Sequence, residues 1–476
     1  MGIGRRQRLD RERNATKLQK TLGDKMKAAE VNVGALIDES RLGAYQWWVI
    51  ALCAMCLVVD GFDVQAMGYV APVVIREWGI AKETLSPVFG AGLFGMLVGS
   101  LTFSALADKL GRRPVLIGAT LCFSACMIVT GFANTITELV VWRFAAGLGL
   151  GCIMPNAMAL AGEYSPRRIR VSLMMIVSCG FTLGGVLGGL ITAAIIPSLG
   201  WRAVFYIGGA IPLVLGVLMW ISLPESIQFL MFGKRDNAHI RKQLLRVAPG
   251  ANVPVDARFV LDEQKAKGVP FVELFKDGRA RVTLLLWVVN FANLLDMYFL
   301  SNWLPTVIRD AGYSTQVAVM AGTALWAGGV IGTLLLGRVI DRVGFTSVLA
   351  VTFLIAMAAT AAIGNPMVMV SMVAVFIAIF FAGFSIIGGQ PALNALAATY
   401  YPTSLRSTGI GWSLGIGRIG SVLGPVLGGA LMHLQWSSSS LFLAAAVPAC
   451  VSLIGVLAIA RTQRSDGGSL QAATAG

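Results

Sequence analysis

Uninterrupted apolar stretches constrain this chain more than any other feature. Pro114 to Ala133, Val171 to Ile196 and Leu441 to Ala460 contain no charged residue. Each approaches or exceeds the roughly 18–20 residues that carry a helix across a bilayer. Several such runs in one chain imply a bundle of spanning helices, because a helix satisfies its own backbone where no water can. Composition agrees: of 476 residues, 13% are charged, where a soluble domain carries roughly 25%. Glycine clusters sit inside the apolar runs, where they let helices approach closely.

Breakers between the runs give twelve spans: 46–70, 84–107, 114–133, 136–161, 171–196, 202–223, 282–308, 316–337, 345–363, 367–398, 405–432 and 440–460. The tenth is too long to lie wholly in lipid. The expected organisation is a polar cytoplasmic tail (1–45), a six-helix half (46–223), a cytoplasmic linker (224–281), a second half (282–460) and a cytoplasmic tail (461–476). Residues 1–45 have no apolar core and read as a partly disordered tail, not a signal peptide. Met1-Gly2 lacks the Ser or Thr at position 6 that myristoylation requires.

The net charge of +14 raises the question of nucleic acid. The basic residues are spread over the linkers between spans and form no single patch, so nucleic acid is not an expected partner. Lys109, Arg112 and Arg113, then Arg167, Arg168 and Arg170, then Arg338 and Arg342, then Arg406, all fall on one side. The positive-inside rule makes that side cytoplasmic and puts both termini there, in a multi-pass cell-membrane protein. All seven cysteines lie in apolar runs, and His239 and His433 stand alone, so neither a metal site nor a catalytic constellation is indicated.

The halves repeat. GSLTFSALADKLGRRPVL (99–116) and GTLLLGRVIDRVGFTSVL (332–349) share Gly, Asp, Gly and Leu at a separation of 233 residues. Phe144, Gly147, Pro155, Pro166 and Arg170 recur as Phe380, Gly383, Pro391, Pro402 and Arg406, 236 residues on. Two matches in phase predict two six-helix halves related by a parallel repeat, with a site between them near the midplane.

Few ionisable residues interrupt the spans: Asp60 and Asp63 in span 1, Arg143 in span 4, Asp296 in span 7 and Arg418 in span 11. An ionised group in mid-span costs roughly 2.5–3.5 kcal/mol even on insertion scales, so each raises a functional question. Helix rise puts Asp60, Asp63, Asp296 and Arg418 roughly 20–26 Å from the inner ends of their spans, and Arg143 about 10 Å from an outer end. All five could face one polar cavity. Asp60 and Asp63 share a helix face, and two carboxylates so close in low dielectric favour holding a proton. They are the candidate proton-coupling pair, although either could instead bridge to Arg143. Arg418 needs an anion, which would be Asp296 or a substrate carboxylate held by both guanidinium nitrogens. Arg143, Asn290, Asp296, Tyr298, Gln390, Asn394 and Trp412 complete the candidate substrate site. Asp108 with Arg112, Arg338 with Asp341, and Arg406, at span ends, are candidates for gating.

ADKLGRRPVL and WRFAAGLGLG resemble the loop 2–3 and span 4 signatures of the major facilitator superfamily; Ser104 stands where the first usually has Gly. DGFDVQAMGYVAP and ALNALAATYYPTSLRSTGIGWSLGIGRIGSVLGPVLGG resemble its aromatic acid:proton symporter family, and the resemblance covers essentially residues 46–460. LPESIQFL is similar to a sugar-transporter motif but lacks its closing Pro-Arg. The resemblance implies an all-α major facilitator fold and roles in transport for Asp60, Asp63, Arg406 and Arg418. It further implies import of a benzoate-type or hydroxybenzoate-type carboxylate with protons. The expected partners are that acid, protons and membrane lipid. The proton is the coupling ion, no other cofactor is expected, and the expected state is a monomer. A carrier or exporter of another organic acid, a sugar or a drug on the same fold is the alternative; an enzyme is not expected.

Overall fold

The computed structural model describes residues 30–232, 237–251, 253–254, 257–260, 271–402 and 405–474. Twelve helices are long and apolar enough to span a membrane. In chain order they are α1 (Ala44–Trp78), α2 (Ser86–Leu110), α3 (Arg112–Thr130), α4 (Ile136–Glu163), α5 (Arg167–Leu199) and α6 (Arg202–Ser222). Then follow α7 (Ala280–Asp310), α8 (Thr315–Val343), α9 (Phe345–Ile363), α10 (Met372–Tyr400), α11 (Arg406–His433) and α12 (Ser438–Thr474). The tenth span is corrected. Its first residues form a separate short helix, Pro366–Met369. Asn365 caps that helix, and Ser371 then caps α10 afresh, because two polar caps so close together end one helix and start another.

The repeat is written into the packing. Gly95 and Gly99 on α2 lie against the backbone of Phe144 and Leu148 on α4, so close that a Cβ could not fit. Gly328 and Gly332 on α8 meet the backbone of Phe380 and Phe384 on α10 in the same register. A second set joins α1 to α5 through Gly180 and Gly184, and α7 to α11 through Gly420 and Gly424. Lipid gives helices no hydrophobic reason to associate, so backbone-to-backbone van der Waals packing supplies it. Gly111 and Gly344, one in each copy of the loop motif, have φ of 105° and 90°. A Cβ resists that conformation, and Gly permits the tight turns from α2 into α3 and from α8 into α9.

One end of the bundle carries the Lys109–Arg113 turn, Arg167–Arg170 and the long polar linker; it is called the basic end here. From sequence, residues 30–40 belong to a partly disordered tail. In the structure Glu30–Asn32 pairs as a parallel strand with Arg258–Val260 of the linker, and Val33–Glu39 is a helix that buries Val33 and Ile37. Asp38 accepts the Arg167 N–H at 2.6 Å, capping α5. The tail before residue 30 lies outside the described residues.

The halves touch at the far end. Gly68 on α1 lies against the Ser301 and Asn302 backbone of α7. On α5, Gly185 meets the Trp326 ring of α8 and Gly189 meets Thr323. Ser86 on α2 donates to the Pro425 carbonyl of α11 at 3.3 Å. Lys82 pairs with Asp310, and His433 lies 3.7 Å from Glu83. These hydrogen bonds and ion pairs tie the halves together at this end.

Candidate functional site

Between the halves lies a cavity of about 170 Å³, lined by residues of both. Asp60, Tyr298 and Arg418 line it, and the lining extends toward the basic end through Met154, Ser178 and Asn394. The glycine at 61 explains how an aspartate reaches this cavity. A Cβ there would strike the Phe181 carbonyl, so α1 and α5 pack in contact and Asp60 is left facing the gap. Its side chain is buried, and Oδ1 has no hydrogen-bond partner. The Arg418 guanidinium lies within electrostatic reach of Asp60, yet no hydrogen bond or ion pair joins it to a carboxylate among the described residues. Around these groups the wall is apolar: Met96, Met297, Leu294, Ile387 and Leu414.

The two aspartates of span 1 are therefore separated. Asp63 is rotated away from the cavity toward α4, where Arg143 donates to it twice, Nη1 to Oδ1 at 2.5 Å and Nη2 to Oδ2 at 2.9 Å. Both side chains are buried, at 0% and 6% exposure. The free space beside them is about 20 Å³, room for about one water. Arg143 does not line the main cavity, because its charge is already answered by Asp63 and its site is filled.

Of the other candidates, Tyr298, Gln390 and Asn394 line the cavity. Asn290 stands behind them, donating to Ser413 at 2.8 Å and accepting from Gln390 at 2.9 Å. Two candidates lie elsewhere. Asp296 is buried with neither carboxylate oxygen hydrogen-bonded. At about 100° per residue, Asp296 lies about 200° from Tyr298 and within about 20° of Val289, seven residues earlier, which packs on Gly455 of α12. It does not meet Arg418. Trp412 is 44% exposed and stacks on Trp287 and Phe271 with centroids 6.1 and 4.5 Å away. That places it on the outer face of α11, because six residues from Arg418 is 600°, or two-thirds of a turn off.

Of the candidate gating residues, Arg112 alone joins an ion-pair network among the described residues. Arg112 pairs with Glu163 at 2.5 Å. Glu225 accepts the N–H groups of Arg112, Arg113 and Ser226 at 2.9, 3.1 and 2.8 Å. A carboxylate there satisfies the free donors at the start of α3 and complements its dipole. Tyr164 donates to the Glu225 carbonyl at 2.8 Å, and burial raises its phenol well above the usual range, so it stays a donor. Glu163 and Glu225 were missed from sequence, although the ProGluSer segment 224–226 marked the place. In the second half, Arg338 donates to its own helix at Leu334, 3.0 Å away, and Arg338, Asp341 and Arg406 make no ion pair among the described residues. The side chains of Asp108 and Ser104 lie outside the described residues.

Twelve spans in two glycine-packed halves around a shared cavity define a membrane carrier, and sequence comparison supplies its family. The Major Facilitator Superfamily profile matches residues 53–414 and 286–475, and the chain belongs to that superfamily. It is a multi-pass membrane transporter and not an enzyme. It is 38% identical to the 4-hydroxybenzoate transporter PcaK of Pseudomonas putida, over 92% of this chain and 97% of that one. It is 35% identical to a benzoate transport protein of Acinetobacter baylyi, over 90% and 93% of the two chains. Among solved structures, a bacterial homologue of the human lysosomal transporter Spinster, inward-facing and occupied, shares the fold with a TM-score of 0.69. That match has 17% identity and covers 88% of this chain and 98% of that one.

Proposed function

We propose that this protein imports a single-ring aromatic carboxylate together with a proton by alternating access. The observation that carries the reading is Arg418, a guanidinium bonded to no carboxylate among the described residues, lining one cavity with Asp60, whose Oδ1 has no hydrogen-bond partner among them. A cavity of about 170 Å³ suits one ring, since roughly 150 Å³ accommodates benzene. The relatives named for 4-hydroxybenzoate and benzoate support the same class. With the basic end in the cytoplasm, the far-end contacts make this the inward-open arrangement.

In this reading Arg418 holds the substrate carboxylate by paired hydrogen bonds, and the methionine and leucine wall covers the ring. Asp60 takes the proton, while Asp63 is occupied with Arg143. An entering monoanion works against an inside-negative potential at about 2.3 kcal/mol per 100 mV. One cotransported proton cancels that charge. Closing the basic end over the loaded site then requires Arg338, Asp341 or Arg406 to find partners across the gap.

The test is uptake of labelled benzoate, 4-hydroxybenzoate, protocatechuate, gentisate, phthalate and a hexose into proteoliposomes under an inward proton gradient. Uptake of an aromatic acid that collapses with a protonophore and in Asp60→Asn is the expected result. Folded protein that carries none of these acids would overturn the reading.

A further inference from the structure

The cavity wall contains a chain of four amides whose orientation is fixed from its buried end. Asn290 Nδ2 donates to the Leu286 carbonyl at 3.1 Å, and Asn293 Nδ2 to the Ile386 carbonyl at 3.1 Å. A backbone carbonyl can only accept, so the nitrogen end of each asparagine is determined. Asn290 must therefore present Oδ1 to Gln390, whose Nε2 donates to it at 2.9 Å. Asn293 must present a second N–H to Gln390 Oε1, at 2.7 Å. Gln390 now has one amide hydrogen left, and it goes to Asn394 Oδ1 at 3.2 Å. Asn394 ends the chain with its carbonyl occupied. Its Nδ2 makes no hydrogen bond to another described residue, and the residue lines the cavity.

We infer that Asn394 is the specificity residue for a ring hydroxyl, offering its N–H to an oxygen on the ring edge away from the carboxylate. This rests on the transport reading above. Ser413, bonded to Asn290, marks the level of the amide chain on α11. Arg418 lies five residues further along, about 7.5 Å of rise toward the far end. Asn394 lies four residues beyond Gln390, about 6 Å toward the basic end. Helical side chains lean toward their own N-terminus. α10 and α11 run in opposite directions, so Arg418 and Asn394 lean toward each other. Leu294, Met297, Ile387 and Leu414 line the cavity with them. A ring whose carboxylate sits on Arg418 turns its opposite edge to Asn394. A hydroxyl oxygen there accepts the N–H. A bare C–H edge leaves the donor unpaired, and sites built around a hydrogen bond reject the analogue that lacks it. Gln390 acts as a positioning residue, because it alone holds Asn394 in this orientation.

Uptake of 4-hydroxybenzoate and benzoate, each as a function of concentration, tests this in wild type, Asn394→Leu and Gln390→Leu, with Asn394→Ala as the substitute if leucine prevents folding. The expected wild-type preference for the hydroxylated acid is about tenfold in uptake at limiting concentration, the size of one polar contact. The ratio falls toward one in Asn394→Leu and part-way in Gln390→Leu. Equal wild-type uptake of the two acids, or an unchanged ratio in the Asn394 variants, would overturn the assignment while leaving aromatic acid transport standing. Wild-type uptake of neither would overturn the transport reading and this inference with it.

Discussion

Replacing Asp63 with asparagine removes the negative half of the ion pair that Arg143 makes inside the first half. The pair is fully enclosed, bonded through both guanidinium nitrogens at 2.5 and 2.9 Å, with a third contact from Nη2 to the Asp63 carbonyl at 3.3 Å. Arg143 cannot shed its proton, and a 20 Å³ void gives too little water to solvate it. Deleting one partner of such a pair destabilises by about 3–5 kcal/mol, whereas replacing both is often neutral. Each kcal/mol moves the melting temperature by about 2–4 °C in a unit of 150–250 residues, the size of one half. Asp63→Asn should therefore lower the Tm of the purified protein in detergent by on the order of 10 °C. The double variant Asp63→Asn with Arg143→Gln should recover most of that loss. Asp60→Asn, in the cavity, should not lower Tm at all. Thermal unfolding followed by tryptophan fluorescence reads all three. Equal loss from Asp60→Asn and Asp63→Asn, or no recovery in the double variant, would refute the division of labour between the two aspartates.

Other outcomes follow from the same geometry. Asp60→Asn should abolish accumulation driven by a proton gradient while preserving exchange of labelled for unlabelled acid, measured in the same vesicles. Arg418→Gln should abolish uptake and Arg418→Lys should retain a small part of it, because lysine keeps the charge and loses the fork; transport assays rank the two. Asp296→Leu should raise stability by about 2–3 kcal/mol, since it exchanges an unpartnered carboxyl in mid-span for an apolar side chain; detergent unfolding midpoints check it. Cysteines at Gly90 and Val426, whose side chains face each other across α2 and α11 near the far end, should crosslink under mild oxidation and stop uptake until reduced.

The spans and the repeat were legible because their signals are local. Charge-free runs set the helices, and Gly99 with Gly332 recurs in phase because the same close packing is needed twice. Which way a side chain points was not legible. A soluble helix shows an apolar stripe that locates its buried face. Spanning helices are apolar toward both lipid and protein, so Trp412 and Asp296 carried no mark of the face they occupy. The span 1 aspartates could be recognised as unusual, but their separate roles depend on Gly61 bringing α1 against α5, a tertiary contact. Glu163 and Glu225 were missed because they act at helix ends, where charge is expected for topology alone.

The glycine contacts divide the molecule mechanically. Within each half, backbones touch at successive glycines one turn apart, and such close packing resists deformation. The compliant parts are the seams where Gly68 meets Ser301 and where Gly185 and Gly189 meet Trp326 and Thr323. Those seams are shut here, and in the alternating-access cycle proposed above they part when the far end opens. A methyl group added at Gly68 would act as a wedge, tilting the balance between the two states by making one of them harder to close. Turnover in this carrier can thus be retuned from positions that never touch its cargo.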